Sequence, residues 1–171
     1  MKMPFKAALL NIRRGSVKWI IIHHTAELYE APESRIDTAK FQIPGIVNGV
    51  LEKSDPDINY HYIVDKIKDD YIPVVCRPIS SLCEWDDISN DINKRAIHVS
   101  VLGNYDFKVA EKRLYEILAY RLLSPMLKLF HLSPSKIKLH NEVSSNKDLT
   151  CPGDFIDKAI IISMVKRFMI R

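Results

Sequence analysis

Three short stretches carry residue types that can hold a metal ion. Ile21-Ile22-His23-His24-Thr25 lies near the start, Leu139-His140-Asn141-Glu142 near the end, and Thr150-Cys151-Pro152-Gly153 places its cysteine eleven residues after His140. Two imidazoles and one thiolate form a three-ligand set. A catalytic zinc takes three protein ligands and keeps a fourth position for water, whereas a structural zinc takes four. The sequence holds no Cys-x-x-Cys pair that would supply a further sulfur. The pattern therefore points to Zn2+ in a hydrolytic role, held by His140, Cys151 and one of the neighbours His23 and His24. Adjacent residues of a strand face opposite sides, so those two compete for the position.

The elements that must position these residues read as a mixed α/β chain. Residues 17–23 are β-branched, aromatic and almost continuously apolar, the pattern of a buried central strand with both histidines at its C-terminal end. Residues 27–35 read as a loop and 35–52 as a helix disturbed by Pro44-Gly45, followed by turn chemistry at Ser54-Asp55-Pro56-Asp57. Residues 59–65 and 71–75 read as a hairpin, 77–95 as a long surface loop, and 96–102 as a fourth strand closed by Gly103-Asn104. Apolar residues at helical spacing, among them Leu114, Ile117, Leu118, Tyr120 and Leu122, predict a helix over 109–123. Ser124-Pro125 is expected to start another that ends near Phe130. Residues 137–140 read as extended and 153–169 as a last helix, with Cys151 just before its start and Asp154 as a charge on its first turn.

Size and composition set the bounds. The 171 residues suit one domain with a real core, and 47% hydrophobic against 27% charged residues suit a globular protein. Five glycines and no Gly-x-x-x-x-Gly-Lys or Gly-x-Gly-x-x-Gly run argue against nucleotide binding. The net charge of +4 is too mild and too scattered for a nucleic-acid binder, but it favours a polyanion such as a bacterial wall. No apolar run reaches membrane-spanning length and no leader is legible at residues 1–14, so the expectation is cytoplasmic accumulation before release or export. Cys76 and Cys83 are read as reduced buried thiols, with a Cys76–Cys83 disulfide as the alternative, His61 as a core or supporting residue, His98 as packing and His131 as a helix-end residue.

The ordered blocks Ile-Ile-His-His-Thr, Asn-Tyr-His-Tyr-Ile-Val-Asp, Gly103-Asn104-Tyr105-Asp106, Leu-His-Asn-Glu-Val and Cys-Pro-Gly-Asp-Phe resemble the type 2 N-acetylmuramoyl-L-alanine amidases. That family includes phage lysozyme-type amidases and peptidoglycan recognition proteins. The resemblance spans residues 17–160. It implies a single domain over 1–171 with a mixed central sheet flanked by helices. It also implies zinc-dependent hydrolysis of the lactyl–L-alanine amide of peptidoglycan, by an endolysin or wall-remodelling enzyme acting as a monomer. By position it puts the metal ligands on His23, His140 and Cys151 and the active-site tyrosine on Tyr60. Several positions depart from the family pattern, and the stretch around Ser81-Leu82-Cys83 lacks its common Gly-x-His-Ala-like signature. Ser100 stands where many members carry glutamate, His98 where glycine is usual, and Leu149 two before the cysteine, where lysine or threonine is common. Lys147, four before Cys151, is then the candidate oxyanion donor. The rival reading is a non-catalytic peptidoglycan-binding module. Relatives of that kind usually lack the cysteine, which is present here.

Overall fold

A computed structural model of the chain describes residues 17–26, 46–47, 50–51, 59–67 and 70–170. Its strands and α-helices, in chain order, are β1 (Trp19–His24), β2 (Ile46–Val47), β3 (Val50–Leu51), β4 (Tyr62–Ile67), β5 (Asp70–Val75), α1 (Asn90–Asn93), β6 (Ala96–Val101), α2 (Lys112–Ile117), α3 (Ser124–Leu129), β7 (Ile137–Leu139), α4 (His140–Val143) and α5 (Lys158–Met169). Five strands form one sheet in the order β5-β4-β6-β1-β7. β4, β6, β1 and β7 are parallel, and β5 is an antiparallel edge paired to β4. No helix among the described residues is long and apolar enough to cross a membrane.

The register divides the sheet into two unlike faces. Ile22 pairs with Val99, and Val99 with Tyr62, so Ile20, Ile22, Ile97, Val99, Val101, Tyr62 and Val64 share one side. These side chains are buried and pack with Leu114, Leu118, Leu122, Met126, Leu127, Ile161 and Val165 of the helices. Truncating any of the leucines to alanine removes about 2–5 kcal/mol by the usual core scale. The opposite side carries His23, His98, Ser100, His61 and Asp65, all at or below 1% exposure. One face of the sheet thus builds the core, and the other buries an array of imidazoles. Burial holds His61 far below an ordinary histidine, at about 4. Its Nε2 reaches Ser81 O at 3.1 Å and its Nδ1 accepts from His98 N at 3.0 Å.

Several expectations need correction. The helix expected over 35–52 gives way at its C-terminal part to the short antiparallel pair β2–β3, because Pro44-Gly45 favours a turn and Ile46, Val47, Val50 and Leu51 favour strands. The rest of that helix, the loop at 27–35 and the turn at 54–57 lie outside the described residues, apart from their end in β2–β3. The strand read over 59–65 begins at Tyr62, leaving Tyr60 just ahead of it.

No break occurs at Ser124-Pro125. Residues 112–129 run on as one helical segment, with Leu118–Leu123 wound in the wider π form. Ser124 keeps helical dihedrals (φ −63°, ψ −44°), and its hydroxyl is buried without a partner among the described residues instead of capping. Pro125 lies in the first turn of α3, which follows directly on the π segment. Tyr120 is not on the buried stripe; it is exposed and meets Phe168 with ring centroids 5.2 Å apart. The last helix starts at Lys158, not 153. Asp157 caps it by accepting from Ala159 N and Ile160 N, so Asp154 is no part of that cap. The inward face of α5 is Ile161 and Val165, while Ile160 and Phe155 are exposed.

The imidazole array makes stability sensitive to acid. His61 is neutral when folded and titrates at about 4, against an ordinary 6.5. Its contribution is complete above 6.5 and is lost as pH falls through 4, by up to about 3 kcal/mol. Urea midpoints measured at pH 7 and pH 4.5 are expected to differ sharply, and His61→Gln is expected to reduce that difference.

Candidate metal centre

His23 is the last inward-pointing residue of β1, opposite Ser100 of β6. His140 follows directly on β7, which pairs with β1 on its other side. Adjacent parallel strands therefore deliver both imidazoles to the same end of the sheet. Glu142 fixes the turn after β7 by accepting from Leu139 N at 2.7 Å, and its carboxylate is held by Lys158 at 2.6 Å. Cys151 is brought in by backbone. Its carbonyl accepts from Asn141 N at 2.9 Å, which ties the cysteine to the residue after His140.

The turn beyond Cys151 fits against the Tyr105 segment. Phe155 N donates to Tyr105 O at 3.0 Å. Gly153 has φ +99°, and a Cβ there would lie 2.7 Å from Tyr105 O and 2.8 Å from Asp106 N. Only glycine fits both the dihedral and the space. Cys151 is thus held by this turn and not at a helix start, since α5 begins at Lys158.

The three groups converge. One ligand atom from each of His23, His140 and Cys151 lies within 4.8 Å of the others, and all three residues are buried. The two Nδ1 atoms are 3.1 Å apart, and Cys151 Sγ is 3.9 Å from His23 Nδ1. His24 takes no part in the cluster: its Nδ1 accepts from Tyr105 N at 3.2 Å.

The second nitrogens have partners of their own. His23 Nε2 lies 2.9 Å from His98 Nδ1, and His140 Nε2 lies 3.0 Å from Asp87 Oδ2, a close contact not aligned as a hydrogen bond. Asp87 also accepts from Ser144 Oγ at 2.5 Å. In the tautomers that carry their protons on Nε2, both Nδ1 atoms present lone pairs to one point. Facing lone pairs repel unless a cation lies between them, so in those tautomers the donor set fits a metal ion.

Electrostatics suit that use. Burial, then the neighbouring imidazoles, push His23 well below the ordinary histidine range. Burial also lowers His140, against the opposing pull of Asp87. Both rings are therefore neutral near pH 7, as ligation requires. Burial pushes the Cys151 thiol up to about 12, so without a cation it stays protonated, and metal binding must release its proton.

Around the cluster, Trp85 stacks on His23 with centroids 4.7 Å apart and 21° between planes, and meets His140 edge-on at 5.0 Å. Tyr60 meets His23 edge-on at 5.5 Å, with its hydroxyl 3.4 Å from His24 O. Lys147 is exposed on the loop between His140 and Cys151, and its ammonium donates to Ser144 O at 3.4 Å. Cys76 and Cys83 are both free thiols.

Trp85, Asp87 and the contact of His98 with His23 are features that sequence reasoning missed. Trp85 and Asp87 lie in a stretch without period and gave no signal. His98 did give one. Ala96, His98 and Ser100 alternate with Ile97, Val99 and Val101, which is the pattern of a strand with one polar face.

A mixed sheet that gathers two imidazoles and a thiol at one edge defines a candidate metal-binding α/β domain. The profile of the N-acetylmuramoyl-L-alanine amidases matches residues 13–154, and the chain belongs to that family. Solved structures of similar fold include the N-acetylmuramoyl-L-alanine amidase LysC from Clostridium intestinale URNW. It is 16% identical, with a TM-score of 0.57 and 88% of this chain and 86% of that one covered. A mutant endolysin from Bacillus subtilis is 16% identical at TM-score 0.60, with 88% and 86% covered. Drosophila peptidoglycan recognition protein SD is 20% identical at TM-score 0.57, with 84% and 79% covered. At these identities the likeness establishes the fold, a mixed sheet flanked by helices. No curated protein sequence is significantly similar to the chain.

The purified protein is expected to bind one zinc per chain, and His140→Ala or Cys151→Ala to abolish that stoichiometry by metal analysis. Asp87→Asn is expected to weaken zinc about 10–100-fold, the usual effect of removing a ligand's supporting carboxylate. Zinc affinity is expected to rise as pH rises, because binding expels the Cys151 proton.

Proposed function

We propose that this chain, as a single domain over 1–171, is a zinc-dependent N-acetylmuramoyl-L-alanine amidase. Its substrate is the amide joining the lactyl group of N-acetylmuramic acid to L-alanine in peptidoglycan, and its role is that of an endolysin or wall-remodelling hydrolase. The observation that carries this reading is the convergence of His23, His140 and Cys151 on one buried point. A zinc ion held there supplies a Lewis acid that polarises a carbonyl and acidifies water.

The chain's own residues supply the rest. Neutral His23 and His140 with a Cys151 thiolate leave a net charge near +1 at the centre, enough to favour developing negative charge on a carbonyl oxygen. Trp85 and the sheet exclude water from the buried side of that centre, which strengthens each electrostatic interaction there. Tyr60 is next to His23, and a phenol hydroxyl is a donor at neutral pH. We assign it to hydrogen-bond the oxyanion as the amide carbon becomes tetrahedral. Lys147 is the second candidate for that task. It has the weaker claim, because its ammonium contacts Ser144 O, whereas the Tyr60 ring meets the His23 ring at 5.5 Å.

A second reading, a peptidoglycan-binding module without hydrolysis, draws on Ser100. It occupies the strand position where many family members carry glutamate. Its hydroxyl is buried with no partner among the described residues, and it cannot act as a carboxylate base.

Incubation with purified sacculi separates the two. The amidase reading predicts release of L-alanine amino termini together with intact muramyl glycan, abolished by chelation and restored by zinc. Tyr60→Phe is expected to lower that rate about 10²–10³-fold, the usual loss on removing one oxyanion donor. Lys147→Ala is expected to cost less. Binding to sacculi without release at any zinc concentration would establish the second reading instead.

A further inference from the structure

The two histidines of the candidate centre are supported by chemically different partners. His140 Nε2 faces the Asp87 carboxylate at 3.0 Å, whereas His23 Nε2 faces another imidazole, His98 Nδ1, at 2.9 Å. We propose that His98 is a positioning residue of the metal centre. By accepting the Nε2–H of His23 it leaves the Nδ1 lone pair of His23 free for the ion.

The pair admits two proton arrangements. If His98 Nδ1 carried the proton, it would donate to His23 Nε2, and the His23 proton would sit on Nδ1. Nδ1 then points a hydrogen at His140 Nδ1, 3.1 Å away, and cannot ligate. In the other arrangement His23 donates from Nε2, and Nδ1 is a ligand atom. With its Nδ1 unprotonated, His98 holds its neighbour in the competent tautomer. A ring with no acceptor at that position would bury its N–H unpaired, and His23 would lose the bond that holds its orientation.

The surroundings are built to hold His98 there. His98 and His23 are each 0% exposed. β1 and β6 are in register, with Ile21 opposite His98 and His23 opposite Ser100, so His98 sits one pleat from His23 on the same face. The backbone N–H of His98 donates to His61 Nδ1 at 3.0 Å, and His61 Nε2 turns to Ser81 O at 3.1 Å. His98 Nε2 is buried with no partner among the described residues; in the proposed arrangement it carries the ring's proton, a cost that ion binding must offset. The stacked ring of Trp85 limits rotation of His23 from its other side.

The inference rests on the metal reading of the His23–His140–Cys151 cluster, and the test separates the two. Zinc affinity is measured by competition with a chromophoric chelator for the unsubstituted protein, His98→Leu and His98→Asn. Leucine fills the space without an acceptor. Asparagine places an amide oxygen near the position of Nδ1. The expected result is a Kd raised about 10–100-fold in His98→Leu and largely recovered in His98→Asn, without a matching trend in the urea midpoints of the metal-free proteins. His98→Leu binding zinc as tightly as the unsubstituted protein would overturn the proposal while leaving the amidase reading intact, as would equal losses in both variants. Failure of the unsubstituted protein to bind zinc would overturn both. If His98→Leu does not fold, nitrogen-15 NMR of the zinc-loaded unsubstituted protein decides. A protonated His23 Nε2 coupled across a hydrogen bond to His98 Nδ1 supports the proposal, and an unprotonated His23 Nε2 contradicts it.

Discussion

Two ring nitrogens 3.1 Å apart, with a thiol sulfur 3.9 Å from one of them, meet at one buried point. With the protons of both rings on Nε2, the facing lone pairs repel and bulk water does not screen them. A divalent cation converts that repulsion to attraction. The supporting groups share that requirement. His98, Asp87 and the stacked Trp85 restrict the orientation of the rings, and Asn141 N anchors the carbonyl of Cys151.

The sheet solves the positioning problem with few parts. β1 ends in His23, β7 runs directly into His140, and parallel pairing puts those ends side by side. Cys151 needs a separate device, because it lies on no strand. Gly153 permits the turn to approach the Tyr105 backbone, and Phe155 N binds Tyr105 O. The remaining face of the sheet is apolar and carries the helices, so the face that carries the histidines is free to bury polar groups without weakening the core. That division costs tolerance to acid, since imidazoles buried neutral are a liability once they must take up protons.

Much of this was legible in the chain. β1 could be read because residues 17–23 form a continuous β-branched run, and β6 because 96–102 alternate cleanly. The candidate cluster could be read because His23, His140 and Cys151 sit in short blocks whose order resembles a known family, and the three side chains meet in the structure. The helix boundaries were less legible. Ser124-Pro125 looks like a start signal but lies inside a continuous segment, since a proline at a first turn and a proline after a π turn have the same local sequence. The start of α5 was placed too early because Pro152-Gly153 resembles a helix opening, while the cap that acts is Asp157. Trp85 and Asp87 could not be found at all. Their roles depend on a loop folding over the sheet, and no local periodicity encodes that.

The central claim is that His23, His140 and Cys151 share one zinc ion. X-ray absorption spectroscopy of the zinc-loaded protein reads the coordination shell directly. The account predicts two nitrogen scatterers at about 2.0–2.1 Å and one sulfur at about 2.3 Å, with the sulfur lost in Cys151→Ala. A shell of nitrogen and oxygen alone in the unsubstituted protein, or a sulfur that survives Cys151→Ala, would contradict it.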